Sequence, residues 1–231
     1  HSDLRRQRQM CIRDRNGGAN WLTDYDEIKI GVSFEEVTTG VPSIAYEGFD
    51  YLENDIDSTM NGGVGFAGPW TEAPPVNRTV DTGISTSCAE GIGGSGQTGG
   101  NGAGAFRYLE SSYGTSGEPE TVYYSLVART NPDNPVAEGE LGWYAGASLF
   151  NGDAEVLFLG KPWAADSWGF DAQDGACDGD VNGCGFSSVQ FSDTPSLIVV
   201  RMDFDGVGGA TTSLWVDPAD CAEGAPEIVY E

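Results

Sequence analysis

Apolar residues in the second half of the chain recur with a period of two. Residues 196–204 place Ile198, Val200, Met202 and Phe204 on one side and Val199, Arg201 and Asp203 on the other. Residues 121–129 repeat the pattern with Val122, Tyr124, Leu126 and Ala128. Successive side chains of a strand point to opposite faces, so this spacing builds strands rather than an apolar helical stripe. Asn151-Gly152 stands between two apolar runs, 141–150 and 154–159. Such a pair supplies the two positive-φ positions of a tight hairpin. A Gly-rich turn at 205–209 joins 196–204 to 211–216 and predicts a second hairpin, one face apolar and one wet. The 34 glycines and the shortage of Ala, Leu, Glu and Lys runs suit short strands joined by turns. The fold class predicted is all-β, a two-sheet antiparallel β-sandwich.

Charge narrows the partners. The formal net charge is −25, from 36 acidic and 11 basic residues. Phosphate backbones and anionic membranes need a basic face, so nucleic acid and membrane surfaces are excluded as partners. No run of 18 apolar residues exists, so no helical membrane span is predicted. The one histidine is His1. A Ser-His-Asp or Cys-His arrangement therefore has no histidine in the folded part, and a His-ligated zinc site is excluded with it. Any catalysis falls to carboxylates, Tyr, Lys or Arg.

Residues 1–15 differ from the rest. They hold Arg5, Arg6, Arg8, Arg13 and Arg15, five of the eleven basic residues. Residues 9–15 resemble the translation of a sequencing adaptor, so 1–15 is set apart as non-native; the alternative is a basic N-terminal arm. Residues 25–37 read as one strand and its exit, with Ile28 and Ile30 alternating against Glu27, Lys29 and Gly31, followed by a short linker at 38–43. Residues 91–104 are nearly all Gly and small polar residues. They lack the Lys-Ser/Thr and helix start of a phosphate cradle, and predict a long flexible loop.

Several phrases in order resemble the concanavalin A-like, or laminin G-like, jelly-roll modules of secreted bacterial proteins. They are AYEGFDY (45–51), NGGVGFAGPW (61–70), AFRYL (105–109), GWYAGASLF (142–150), EVLFLGKPW (155–163), WGFDA (168–172) and LIVVRMDF with SLWVDP (197–218). The resemblance implies a jelly roll over residues 45–218 and says little of activity, because such modules share a fold while differing in function. In that family YDEIKIG resembles a closing strand, usually met after SLWVDP. Here it lies at 25–31, ahead of the module start. The resemblance thus implies a fragment of a tandem array: residues 16–40 as closing strand and linker of a preceding module, and 41–231 as a sandwich lacking its own closing strand. The strand at 25–31 is expected to fill that slot, since an empty one leaves a raw sheet edge.

Four cysteines remain beyond the first fifteen residues: Cys88, Cys177, Cys184 and Cys221. An even number suits an oxidising compartment. Cys177 and Cys184 flank a six-residue loop and are expected to bridge it, which leaves Cys88 with Cys221. The alternative is reduced or metal-bound thiols, for which the spacing is poor. Within the loop Asp178, Asp180 and Asn182 match the opening of a calcium loop, but Val189 stands where its closing Glu belongs. Calcium is the one cofactor raised; a solvated turn is the alternative. Related β-sandwich glucanases carry an E-x-D-x-E strand that is not found here. The nearest carboxylate pairs are Asp203 with Asp205 and Asp153 with Glu155, both at hairpin turns. Trp143, Trp163 and Trp168 offer faces for sugar stacking or, alternatively, for core packing. Arg107, Arg129 and Arg201 are read as surface ion-pair partners.

These residues lead to an expected function: a non-catalytic, secreted or cell-surface bacterial module, binding a glycan or surface polymer beside neighbouring modules of the same chain. A carboxylate-dependent polysaccharide-active enzyme and a ligand-free spacer repeat are the alternatives.

Overall fold

The structure is a computed structural model that describes residues 10–17, 22–71, 77–80, 82–99, 104–114, 117–133, 144–152, 154–162, 165–172 and 183–231. Its elements run β1 (Met10–Gly17), β2 (Leu22–Gly31), α1 (Phe34–Val37), β3 (Ala45–Glu47), β4 (Asn54–Asp55), β5 (Asn77–Val80), β6 (Ser95–Gly99), β7 (Phe106–Tyr108), β8 (Glu120–Thr130), β9 (Tyr144–Asn151), β10 (Ala154–Lys161), β11 (Ser167–Asp171), β12 (Cys184–Gln190), β13 (Ser196–Phe204), β14 (Ala210–Val216) and β15 (Ile228–Tyr230). They form two antiparallel sheets, an all-β sandwich. The smaller has the order β12-β11-β10-β9-β1-β7; the larger runs β15-β14-β13-β8-β2-β6-β5-β4, with β3 paired to β2.

Alternation along the strands dictates the main core. Val122, Tyr124, Leu126 and Ala128 of β8 and Ile198, Val200 and Met202 of β13 face Ala145, Ala147 and Leu149 of β9 and Leu157 and Leu159 of β10. The two hairpins read from sequence are present: β9 pairs with β10 around Gly152 at φ 64°, and β13 pairs with β14. The segment 10–17 supplies the backbone of β1, between β9 and β7. Strand β2 pairs with β8 on one side, and on the other with β6 and then β3.

Three expectations need correcting. The outer side of β13 is not wet. Leu197 and Val199 are buried there with Tyr123, Val127 and Trp215, under Phe34 and Val37 of α1. Ser33 caps this short helix by accepting from the Glu36 N–H, and the Phe34 ring meets Trp215 edge-on at 5.3 Å. The large sheet thus has apolar cover on both faces.

The glycine tract is not all loop, because β6 is a fully buried strand. A Cβ at Gly96 would stand 2.6 Å from Tyr25 and 2.9 Å from Phe49, so glycine lets two aromatic rings close onto the backbone. Gln97 donates to Asp24 Oδ1 at 2.8 Å and settles the polar side.

Arg107 is not a surface residue. It is 1% exposed and ion-paired to the equally buried Glu47. Its other N–H groups donate to the Gly62 and Gly68 carbonyls and to Asn61, and its guanidinium lies 4.1 Å from the Phe66 ring centre. Trp70 and Tyr51 also donate to Glu47. This hub clips residues 47–70 to β7, and neither charge is left bare, as burial requires.

Candidate functional site

Residues of both sheets line a cavity of about 450 Å³. The end of β9 supplies Phe150 and Asn151, the β13–β14 hairpin supplies Phe204 and Thr212, and Tyr113 and Tyr230 line the space with them. Tyr113, Phe204 and Tyr230 pack on the core edge yet stay partly exposed, so ring surface opens into the space. Gly114, at φ 65°, allows the Phe204 ring to approach: a Cβ there would stand 2.5 Å from it. The result is an aromatic mouth with amide and hydroxyl groups at its edge.

Asp203 and Asp205 lie beside this mouth, in β13 and its turn. Asp203 accepts from the Thr121 hydroxyl at 2.7 Å and from Arg201 Nε at 2.8 Å. Asp205 Oδ1 accepts from the backbone N–H groups of Val207, Gly208 and Gly209 at 2.8, 3.0 and 2.9 Å. Those donors, the Val207 N–H first, hold its carboxyl below the usual carboxylate range. Asp205 is therefore committed to the turn of the hairpin, and Asp203 to the side chains of Thr121 in β8 and Arg201. Glu155, the other acid raised by the sequence, is buried and accepts from Ser148 at 2.7 Å, while Asp153 lies outside the described residues.

The tryptophans divide. Trp168 is 1% exposed in the main core, edge-on to Phe191, so no face of it is open to a ligand. Trp143 and Trp163 lie outside the described residues, as do Asp178, Asp180, Asn182 and Cys177. Cys184 is disulfide-bonded. Cys88 and Cys221 form a disulfide with Cα atoms 5.3 Å apart. Among the described residues no group of three or more His, Cys, Asp or Glu side chains could hold a metal ion. No helix among them is long and apolar enough to cross a membrane.

A second cavity lies over β2, on the outer side of the large sheet. Tyr25 and Ile28 both face the main core, three residues apart, so one residue too many stands between them. The register of β2 against β8 shifts between Asp26 and Lys29, and Glu27 takes a left-handed backbone, φ 51°. This is a β-bulge, and a non-glycine residue in that region carries strain of about 1 kcal/mol or more. Here the outer partner of β2 changes from β6 to β3. The bulge aims Asp26 at the loop over the sheet, where it accepts from the N–H groups of Glu27 at 2.7 Å and Ile84 at 3.0 Å. Burial pushes the Asp26 carboxyl up to about 8, against those two donors.

Glu27 turns to the cleft floor. Its Oε1 accepts from the Tyr46 hydroxyl at 2.7 Å, and its Oε2 meets the Lys29 ammonium at 3.3 Å. Burial, and then the bond to Glu27, raise the Tyr46 phenol and keep it a donor. Simple alternation makes Glu27 and Lys29 ordinary outward strand positions. The spacing of Tyr25 to Ile28 is the signal of the bulge.

The chain matches no protein-family model, no curated protein and no solved structure.

Proposed function

We propose that this chain is a non-catalytic, extracellular β-sandwich module that binds a glycan or other surface polymer at the aromatic mouth. The observation that carries the reading is the convergence of Tyr113, Phe204 and Tyr230, all partly exposed, on a cavity edged by Asn151 and Thr212. Sugars offer apolar ring faces and a belt of hydroxyls, and aromatic rings beside amide and hydroxyl groups match both. The volume falls in the range of small-ligand sites, about 300–1,000 Å³. A Cys88–Cys221 disulfide and a net charge of −25 suit a secreted or cell-surface setting. The resemblance of residues 45–218 to concanavalin A-like modules points the same way. Asp203, bonded to Thr121 and Arg201, and Asp205, bonded to its own turn, give a hydrolytic reading no free acid pair.

A glycan array with and without calcium tests the proposal, with Tyr113→Ala as the site variant and its melting curve as the folding control. Binding that is lost in a folded Tyr113→Ala supports it. No binding to any glycan, in either condition, leaves a spacer module and refutes it.

A further inference from the structure

The cleft over β2 is chemically unlike the mouth. Its volume is about 770 Å³. Its floor is Glu27, Lys29 and Tyr46, and the loops at 38–42 and 85–92 form its walls. Val41 and Ile92 stand among the lining residues, 86% and 66% exposed, and give the cleft apolar surface.

Charge decides what such a cleft can take. Glu27 and Lys29 are 3% and 8% exposed and neutralise each other. Both Glu27 oxygens already accept, one from Tyr46 and one from Lys29. A cation entering the cleft meets an ammonium and a carboxylate whose two oxygens are engaged. An anion meets Glu27, the exposed Glu90 on the wall and the field of a chain carrying −25. A neutral ligand meets neither penalty. The Lys29 ammonium carries three N–H donors. It bonds Glu27 and the Thr38 carbonyl, the latter at 3.2 Å, which leaves a third donor for a neutral acceptor. The exposed Ser85 and Thr39 on the walls add hydroxyls, and Val41 and Ile92 add apolar surface.

A carbonyl oxygen, a methyl group and several hydroxyls in one neutral molecule describe an N-acetylated sugar. We propose that this cleft is a second binding site, for a neutral N-acetylated sugar unit. The acetamido carbonyl accepts from Lys29, the methyl group rests between Val41 and Ile92, and ring hydroxyls meet Ser85 and Thr39. The site rests on the glycan-binding reading for its class of ligand, but its place and its contacts are separate from the mouth.

Saturation-transfer NMR on the full chain tests it, with N-acetylglucosamine, glucose and N-acetylneuraminic acid as probes. The expected result is transfer to the acetamido methyl of N-acetylglucosamine, with weak signals from glucose, which lacks the amide, and from the acid, which is anionic. Thr39→Trp fills the cleft from an exposed position, and Lys29→Met removes the donor. Each should reduce the methyl signal about tenfold, the loss of one good polar contact or of access. All of these spectra are recorded in a Tyr113→Ala background, so that the mouth, whose cavity Tyr113 lines, contributes no signal. No methyl transfer, equal transfer to glucose, or full transfer in a folded Thr39→Trp overturns the assignment. Array binding lost in Tyr113→Ala but kept in Thr39→Trp, with no methyl transfer, removes the cleft while leaving the mouth.

Discussion

Asp26 should make this protein lose stability as pH rises through neutrality. Its carboxyl is fully buried and titrates at about 8, against 3.8 for an ordinary aspartate. Between those values the native state holds a proton that the unfolded chain has released. The Asp26 contribution is therefore most favourable below the ordinary value, declines through the interval and levels off above about 8. The slope for one proton is about 1.4 kcal/mol per pH unit, so about 3 kcal/mol is lost between pH 5 and pH 7. Asp26→Asn removes the titration. It also leaves one acceptor oxygen for two backbone donors, Glu27 and Ile84. That adds a pH-independent loss of about 1 kcal/mol. Urea unfolding of both proteins at pH 5, 6, 7 and 9 separates the two effects. The difference between variant and wild type should move in the variant's favour by about 3 kcal/mol from pH 5 to pH 7 and by about 1 kcal/mol more from pH 7 to pH 9, flattening only above about pH 8. A constant difference across that range would refute the buried-proton argument. Amide exchange at Ile84 provides a local check, since Asp26 accepts its N–H.

Other consequences are open to direct measurement. Cys88→Ser with Cys221→Ser opens a covalent loop spanning 133 residues, and should cost about 5 kcal/mol by loop entropy, read as a lower urea midpoint. Glu47→Gln strands the buried Arg107 and should cost about 3–5 kcal/mol; adding Arg107→Met should restore some of that, a non-additivity that a double-mutant cycle reports. Lys161 is buried, and desolvation lowers its ammonium to about 8 from 10.5. Its native form therefore favours the neutral amine, so its cost is full below about pH 8 and fades above the ordinary lysine value. Lys161→Met should gain on the wild type at pH 6, relative to pH 11, by about 2–3 kcal/mol in paired thermal melts.

The long strands are legible because one face of each carries apolar residues at every second position, Val122 to Ala128 in β8 and Ile198 to Met202 in β13, although burial itself runs continuously along them. Of the Asn151-Gly152 pair only Gly152 takes a positive φ; Asn151 ends β9, paired with Ala154. β6 is hidden because Ser95–Gly99 has no apolar side chain. It is buried by what others bring to it, the rings of Tyr25 and Phe49 and the carboxylate of Asp24. The second layer over β13 is hidden because α1 spans four residues, too few to show a helical period. Arg107 reads as a surface residue because its partner Glu47 stands 60 residues earlier, and no local pattern joins them. The Cys88–Cys221 bond is reached by pairing off the remaining cysteines. At the site level the sequence offers tryptophans and acids by residue type alone. Trp168 fills the core, Asp205 builds a turn, Asp203 bonds Thr121 and Arg201, and the aromatic residues of the mouth pass as strand and loop residues.

The covalent tie between Cys88 and Cys221 also sets how tension would travel. A pull applied beyond residue 221 first peels β15 from the edge of β14, where three paired residues unzip in succession. The freed ten residues, 222–231, extend by about 35 Å at full stretch. Then the load divides at Cys221, one share running along the backbone towards β14 and the other through sulfur into the loop at 84–91 that Asp26 anchors. Under drag, β15 yields first, and the cross-link then shares the force between two distant stretches of chain.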